Sequence, residues 1–249
     1  MNALGIDISK YDNSFDPSQA VKPIDFVIQR ASYGRWRDEL FDALLPGVMQ
    51  VPIRGAYHYL NNWIGWKEQA QTFLDIVRGG EYHFYVADFE EATNTLSTQF
   101  ARDTYQWIRS VAMLTGKPVL LYTRKGLYDN YIFKSGDNWS VVDYWHAQWT
   151  HSTSPILPVG RNTWRIWQYG GESDWGGVGS EYGIGTAWVD VDRYNGTVEQ
   201  MREWLGLDGS TPPPADVIDA PFPGVTRKRG NDIQVLTIEP DVIDKVDVE

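Results

Sequence analysis

The chain of 249 residues contains no cysteine. That removes disulfides and every thiolate metal site, so packing alone must hold the fold in reducing or oxidising surroundings. Histidine is scarce, with four copies at spacings unlike those of metal ligands, which argues against a zinc hydrolase. Long apolar runs are missing as well. No stretch approaches the roughly 18 consecutive apolar residues that cross a bilayer, and Met1 to Asp7 has neither the basic nor the hydrophobic region of a secretory signal. Neither membrane insertion nor signal-dependent export is expected. Basic residues are the minority, 22 against 33 acidic, and the resulting charge of −11 disfavours nucleic acid as a partner. No Gly-x-Ser-x-Gly, phosphate loop or dinucleotide fingerprint stands out, so no cofactor is expected.

Aromatic residues, by contrast, make up 14% of the chain, with 12 Trp and 14 Tyr. Most must serve the core, but Trp and Tyr faces also stack on the C–H faces of pyranose rings, and sugar polymers stay open as partners. Short apolar runs alternate with helical stretches over the first half. Strands are predicted at Leu4–Ile8, Phe26–Ala31, Ile53–Tyr59, Tyr82–Glu90 and Val119–Thr123, and helices at Phe41–Gln50, Trp66–Arg78, Thr98–Thr115 and Lys125–Tyr131. This is the rhythm of βαβ units on a parallel sheet. Beyond about residue 140 further strands are predicted at Tyr144–Gln148, Arg165–Tyr169 and Ala187–Val191, but Gly, Ser, Pro and Asn fill the connections. The expected fold is therefore α/β: a modified, TIM-like β/α barrel of eight strands whose last three lack regular helices. Its active site would lie at the C-terminal ends of the strands.

One motif on that rim carries chemistry. In Tyr82-His-Phe-Tyr-Val-Ala-Asp88-Phe-Glu90, alternation along a strand puts Asp88 and Glu90 on one face. Two like charges there raise one pKa and cost stability unless something uses them. General acid catalysis at a sugar acetal is one such use, because it needs a protonated carboxyl beside an ionised one. Strand-end acids also serve as caps, loop anchors and metal ligands. Asp7 ends the first predicted strand and Asp190 sits on the last, so four carboxylates converge. Tyr57 and Tyr59, Tyr122, Gln148 and Trp149, and Gln168 and Tyr169 end other strands and could bind a sugar by stacking and hydrogen bonds.

At these residues the chain resembles glycoside hydrolase family 25, the muramidases or Chalaropsis-type lysozymes. The resemblance is carried, in order, by Gly5-Ile-Asp7-Ile-Ser9, Phe26-Val-Ile-Gln-Arg30-Ala-Ser, Gly55-Ala-Tyr57-His58-Tyr59, Asp88-Phe-Glu90, Trp145-His-Ala147-Gln148-Trp149, Trp167-Gln168-Tyr169 and Val189-Asp190-Val. It implies hydrolysis of the β-1,4 bond between N-acetylmuramic acid and N-acetylglucosamine in peptidoglycan, with retention. By motif position Glu90 is the general acid and base, and Asp88 its partner, either as nucleophile or by orienting the 2-acetamido group. Asp7 and Asp190 are further acidic site residues. Asp192 departs from the family, which usually has Asn there. Residues i and i+2 of a strand lie roughly 6.5 to 7 Å apart at Cα, which fits retaining and inverting geometries alike.

Other residues are less telling. Asp12 could line the first loop or form a turn; His58 could touch substrate or be satisfied in the rim; His83 should face the opposite end of the barrel. The glycine-rich stretch from Gly170 to Gly185 could be a mobile loop by the cleft, with Trp175 and Tyr182 as sugar contacts, or a plain connector. A last helix is predicted at Val198–Leu205, closing a hydrolase domain over residues 1–207. Residues 208–249 then form a Pro-rich linker and a tail of unknown role. In the tail Arg227-Lys-Arg229 precedes an apolar run, Ile233–Ile238, that could pair with a partner or pack back on the barrel.

The expected partner is peptidoglycan, on the outer side of a bacterial membrane, with phage-type release or virion association in place of a signal. Two alternatives remain: a chitinase-like glycosidase, and a non-catalytic wall-binding or virion component on the same barrel.

Overall fold

The computed structural model describes residues 1–90 and 96–209 in full, and the backbone of 225–230 and 233–238. Eight strands close into a barrel: β1 (Leu4–Ile8), β2 (Phe26–Tyr33), β4 (Ile53–Tyr59), β5 (Phe84–Asp88), β6 (Val119–Arg124), β7 (Tyr144–Ala147), β8 (Ile166–Gly170) and β9 (Asp190–Tyr194). The two-residue β3 (Trp36–Arg37) folds back on the end of β2 as a short hairpin. Barrel neighbours from β1 through β8 run parallel, whereas β9 is antiparallel to both β8 and β1. The barrel is thus mixed.

Parity along the strands separates two cores. Phe26, Ile28, Ile53, Phe84, Val86, Leu120, Trp145 and Ile166 point inward and fill the barrel, and Met201, Trp204 and Leu205 of the last helix join them. Gly5 and Gly55 also face in, and a Cβ at either would lie 2.5 Å from the ring of Phe26 or Phe84. Those two rings occupy the space that the glycines leave. Outward residues such as Val27, Ala56, Tyr85 and Leu121 pack under α1 (Phe41–Val48), α2 (Trp66–Val77) and α3 (Thr98–Thr115). The third helix is capped by Ser97, which accepts from the Phe100 amide, and ends on Gly116 in the left-handed region.

After β6 the connections between barrel strands lose their regular helices. The predicted helix at Lys125–Tyr131 is one α turn, α4 (Lys125–Leu127), which passes into a π turn at Tyr128–Ile132 and a 3-10 turn. Between β7 and β8 the chain runs in loops, and between β8 and β9 in loops and 3-10 turns.

The last barrel strand differs from its predicted Ala187–Val191. Ala187–Val189 pairs instead with the preceding loop, through Gly179 N–H to Ala187 O and Val189 N–H to Gly177 O, both at 2.9 Å. The barrel ladder therefore starts at Asp190. A capping box of Thr197 and Gln200 opens α5 (Val198–Trp204), whose Trp204 indole donates to Asp143 at 3.1 Å.

In the tail, β10 (Val225–Gly230) and β11 (Ile233–Ile238) pair antiparallel. The apolar run is thus in a strand whose partner lies within the chain. The linker from Ser210 to Pro214 and the acidic end after Ile238 lie outside the described residues. Among the described residues no helix is long and apolar enough to cross a membrane.

Candidate active site

The C-terminal ends of the parallel strands surround a cleft of about 820 Å³, lined among others by Asp7, Asp12, Arg30, Tyr57, Tyr59, Glu90 and Asp190. Asp190 reaches the same rim although it begins its strand, because β9 runs the other way and pairs Asp7 with Asp190 directly.

Glu90 lies just past the end of β5. The residue before it is pinned on both sides: the Phe89 amide donates to Tyr122 O at 2.9 Å, and the Thr123 hydroxyl donates to Phe89 O at 2.6 Å. Glu90 keeps an exposed surface toward the cleft. Burial of its carboxyl nonetheless pushes its pKa up to about 7, against the opposing pull of Arg124, Arg30 and a hydrogen bond with Tyr122. It can therefore hold or release a proton near neutrality. Asp88, on the same face of the strand, is almost buried at 3% exposure and is paired in register with Tyr59 and Tyr122.

Gln168 joins the acids. Its Nε2 donates to Asp7 Oδ2 at 2.9 Å and to Asp190 Oδ2 at 3.3 Å, while its Oε1 accepts from the Tyr122 hydroxyl at 3.0 Å and the Trp149 indole at 3.3 Å. One amide thus ties both carboxylates to the aromatic wall. Burial raises Asp7 well above the ordinary carboxylate range, with Asp190 adding repulsion. Asp190 rises to about 7 through burial, then through Asp12 and Glu90. The chain passes so close to Asp190 that a Cβ on Gly171 would lie 2.0 Å from its Oδ1 and 2.5 Å from the Trp149 ring.

Asp12 both forms a turn and lines the cleft. Its carboxylate accepts from the Ser9 amide at 2.7 Å, and burial raises it to about 6. The following Asn13 takes a positive φ of 34°, which Asn tolerates better than most residues. Arg30 reaches the cleft from β2 and is held by Asp38 at 2.5 Å. Next to it, Tyr33 stacks on Trp36 with ring centroids 5.7 Å apart and meets Tyr59 edge-on at 5.2 Å. Sequence reasoning did not single out Arg30 as a site residue, nor Asp38, Tyr33 or Trp36. Inward parity along β2 signals Arg30, whereas nothing in the sequence announces the hairpin that carries Trp36.

Asp7, Asp88, Glu90, Asp190, Tyr57, Tyr59, Tyr122, Trp149 and Gln168 are thus brought together, Asp88 and Tyr122 in the wall rather than at the surface. Gln148 and Tyr169 are not. The Gln148 side chain accepts from the Ile156 amide at 2.7 Å and anchors the following loop. Tyr169 points out of the barrel, against Trp167 and under Arg193, whose guanidinium sits 4.1 Å from its ring centroid. Residues next to an inward one point outward, so Gln168 and Tyr169 could not both face the cleft. His58 is fully buried outside the barrel, between Ser32 at 2.8 Å and Gln69 at 3.1 Å. His83 is at the far end, where it accepts from the Arg54 amide at 3.0 Å. Trp175 stacks on His151 with centroids 4.1 Å apart, and Tyr182 is buried, so neither lines the cleft. Among the described residues no cluster of His, Asp and Glu is arranged to hold a metal ion.

Comparison with known proteins gives a family match, described as glycosyl hydrolases family 25, over residues 6–178. The Escherichia coli K12 protein YegX is 26% identical over 222 residues, covering 84% of this chain and 75% of that one. Lysozyme M1 of Streptomyces globisporus is 24% identical over 218 residues, covering 79% of this chain and 69% of its own. Among solved structures, the bacterial lysozyme of Streptomyces coelicolor superposes with a TM-score of 0.67 at 24% identity, covering 83% of this chain and 97% of the other, a likeness of fold.

Proposed function

The chain belongs to glycosyl hydrolases family 25, and we propose that it is a muramidase that cleaves the β-1,4 bond between N-acetylmuramic acid and N-acetylglucosamine with retention. Glu90 gives its proton to the glycosidic oxygen as the C1–O bond breaks, then takes a proton from the water that attacks C1. Asp88 either attacks C1 or orients the 2-acetamido group that does so. Asp7 and Asp190, held by Gln168, face the positive charge that develops on the sugar ring. Tyr57, Tyr59 and Trp149 offer ring faces to the sugars, with Tyr122 behind Glu90.

The observation that carries this reading is Glu90 itself, a carboxyl in an open cleft whose pKa stands at about 7 beside a group of buried acids. That is the condition for an acid that must start protonated and finish as a base. The name of the Streptomyces globisporus relative, a lysozyme, supports peptidoglycan as the polymer. The protein would then act on the bacterial cell wall, with residues 1–207 as the hydrolase domain and residues 208–249 as an appended linker and tail that could meet a partner.

The reading is tested by incubating the protein with purified peptidoglycan and identifying new reducing ends by mass spectrometry. Reducing muramic acid is expected. Reducing N-acetylglucosamine would mean a different glycosidase, and binding without release would mean a wall-binding module.

A further inference from the structure

Beneath the acids that line the cleft lies one that substrate cannot reach. Asp192 is 0% exposed, one inward position below Asp190 on β9, opposite Gly5 of β1 and Gln168 of β8. Its Oδ1 accepts from the Trp145 indole at 2.8 Å, and its Oδ2 receives no donor among the described residues. The Asp7 carboxyl lies within hydrogen-bonding reach. Two ionised carboxylates are acceptors only and cannot bond to each other; they can do so when one of them holds a proton.

We propose that Asp192 is a positioning residue which stays protonated and donates to Asp7, so that the pair holds one proton and one negative charge, the charge on Asp7 at the cleft. This rests on the muramidase reading for its consequence in catalysis, and on burial and hydrogen bonding for the proton itself. The proton belongs on Asp192 because that carboxyl is the deeper one, fully enclosed, with one oxygen that no other side chain satisfies. Each acid has one neutral side-chain donor, Trp145 for Asp192 and Gln168 for Asp7 at 2.9 Å, but Asp7 keeps 8% of its surface exposed at the cleft. Burial, the largest influence on both, pushes each above the ordinary carboxylate range, as a shared proton requires.

The other titratable groups around the pair favour retention of that one proton. Asp190 from β9 and Asp12 from the first loop add negative charge, as would any ionisation of Tyr57 on β4 or Tyr122 on β6, whose phenols are kept neutral. Arg30 on β2 is paired with Asp38. Asp192 thus lets Asp7 be ionised and aimed upward without a second charge in the barrel interior.

Asp192→Asn keeps the acceptor for Trp145, supplies an N–H to Asp7 and leaves the charge of the pair unchanged. Asp192→Leu fills similar space with no donor. Leu should lower kcat on peptidoglycan by ~10-fold or more with KM little changed, and Asn should restore it to within ~3-fold of wild type with the alkaline limb of the pH profile unmoved. If Asp192 were ionised, Asn would remove a negative charge, lower the pKa of Glu90 and shift that limb to lower pH. If it were only packing, Leu and Asn would behave alike. Either result overturns the proposal.

A second readout does not depend on activity. With 13C-labelled aspartate carboxyls, the wild-type protein near pH 7 should show a protonated carboxyl resonance that disappears in Asp192→Asn. A spectrum in which residue 192 contributes only an ionised signal overturns the proposal even if the protein cuts peptidoglycan. Conversely, the protonated signal would stand if the substrate proved to be a different glycan.

Discussion

Gln168 donates to Asp7 at 2.9 Å, joining the seventh barrel strand to the first across 161 positions of sequence. The bond crosses the mouth of the barrel past β9, at the level of the chemistry. Replacing Gln168 with Leu removes the donor to Asp7 and Asp190 and the acceptor for Tyr122 and Trp149, while the strand stays apolar enough to fold. A hydrogen bond to a charged group contributes about 1.5–3 kcal/mol, so kcat/KM should fall ~10- to 100-fold. Steady-state kinetics on soluble glycan fragments, with circular dichroism as a check on folding, measure this; an unchanged kcat/KM would remove Gln168 from the site.

The pH profile should report Glu90. Its proton is needed for the first step, and with a pKa of about 7 in the free protein the group is protonated below that value and loses its proton above it. Log kcat/KM should therefore decline with rising pH beyond about 7. A profile that stays flat to pH 9 would assign the acid to another residue.

Asp88→Asn should slow turnover by roughly 10²-fold or more, whichever of its two roles is the right one. The roles differ in what the protein carries. A slow, fluorinated substrate would leave a sugar attached to Asp88 if it is the nucleophile, visible by intact-protein mass spectrometry. An orienting role predicts no adduct and a rate that collapses when the acetamido group is removed from the substrate. Wild-type turnover in Asp88→Asn would contradict both.

His58 should set part of the acid stability. Burial, opposed by its bond to Gln69, lowers its pKa to about 4 in the folded chain, against about 6.5 unfolded. Between those values the unfolded chain takes up a proton that the folded chain does not. The contribution is therefore complete above about pH 6.5 and lost as pH falls toward 4, roughly 3 kcal/mol for a shift of this size. The raised carboxyls act in the opposite sense, losing their contribution as pH rises from about 4 toward 7, which flattens the overall curve. His58→Gln should make the melting temperature fall less between pH 6.5 and 4, and NMR should find the wild-type ring titrating near 4. A midpoint near 6.5 would contradict the burial argument.

Much of this was legible in the sequence because period-2 alternation in a small barrel fixes which side chains meet. Asp7, Asp88 and Gln168 all follow from parity, and the first, third and sixth strands, along with the third helix, are close to their predicted bounds. Parity also explains the departures. Tyr169 adjoins an inward residue and must point out; Gln148 ends a strand but turns to hold a loop amide. The shift of the last strand was not legible, because Ala187–Val189 is as apolar as a barrel strand and only its pairing with Gly177 and Gly179 shows its use. Asp192 shares a face with Asp190, but its complete burial depends on Trp145 and Asp7, which come from other strands.

The most direct measurement compares Glu90→Gln with the wild-type protein on purified peptidoglycan, following release of reducing ends alongside co-sedimentation with the wall. Gln keeps the shape and loses only the transferable proton. Turnover is expected to fall by ~10²- to 10⁴-fold while co-sedimentation persists. Hydrolysis by Glu90→Gln at the wild-type rate would show that the proton comes from elsewhere and would overturn the central assignment.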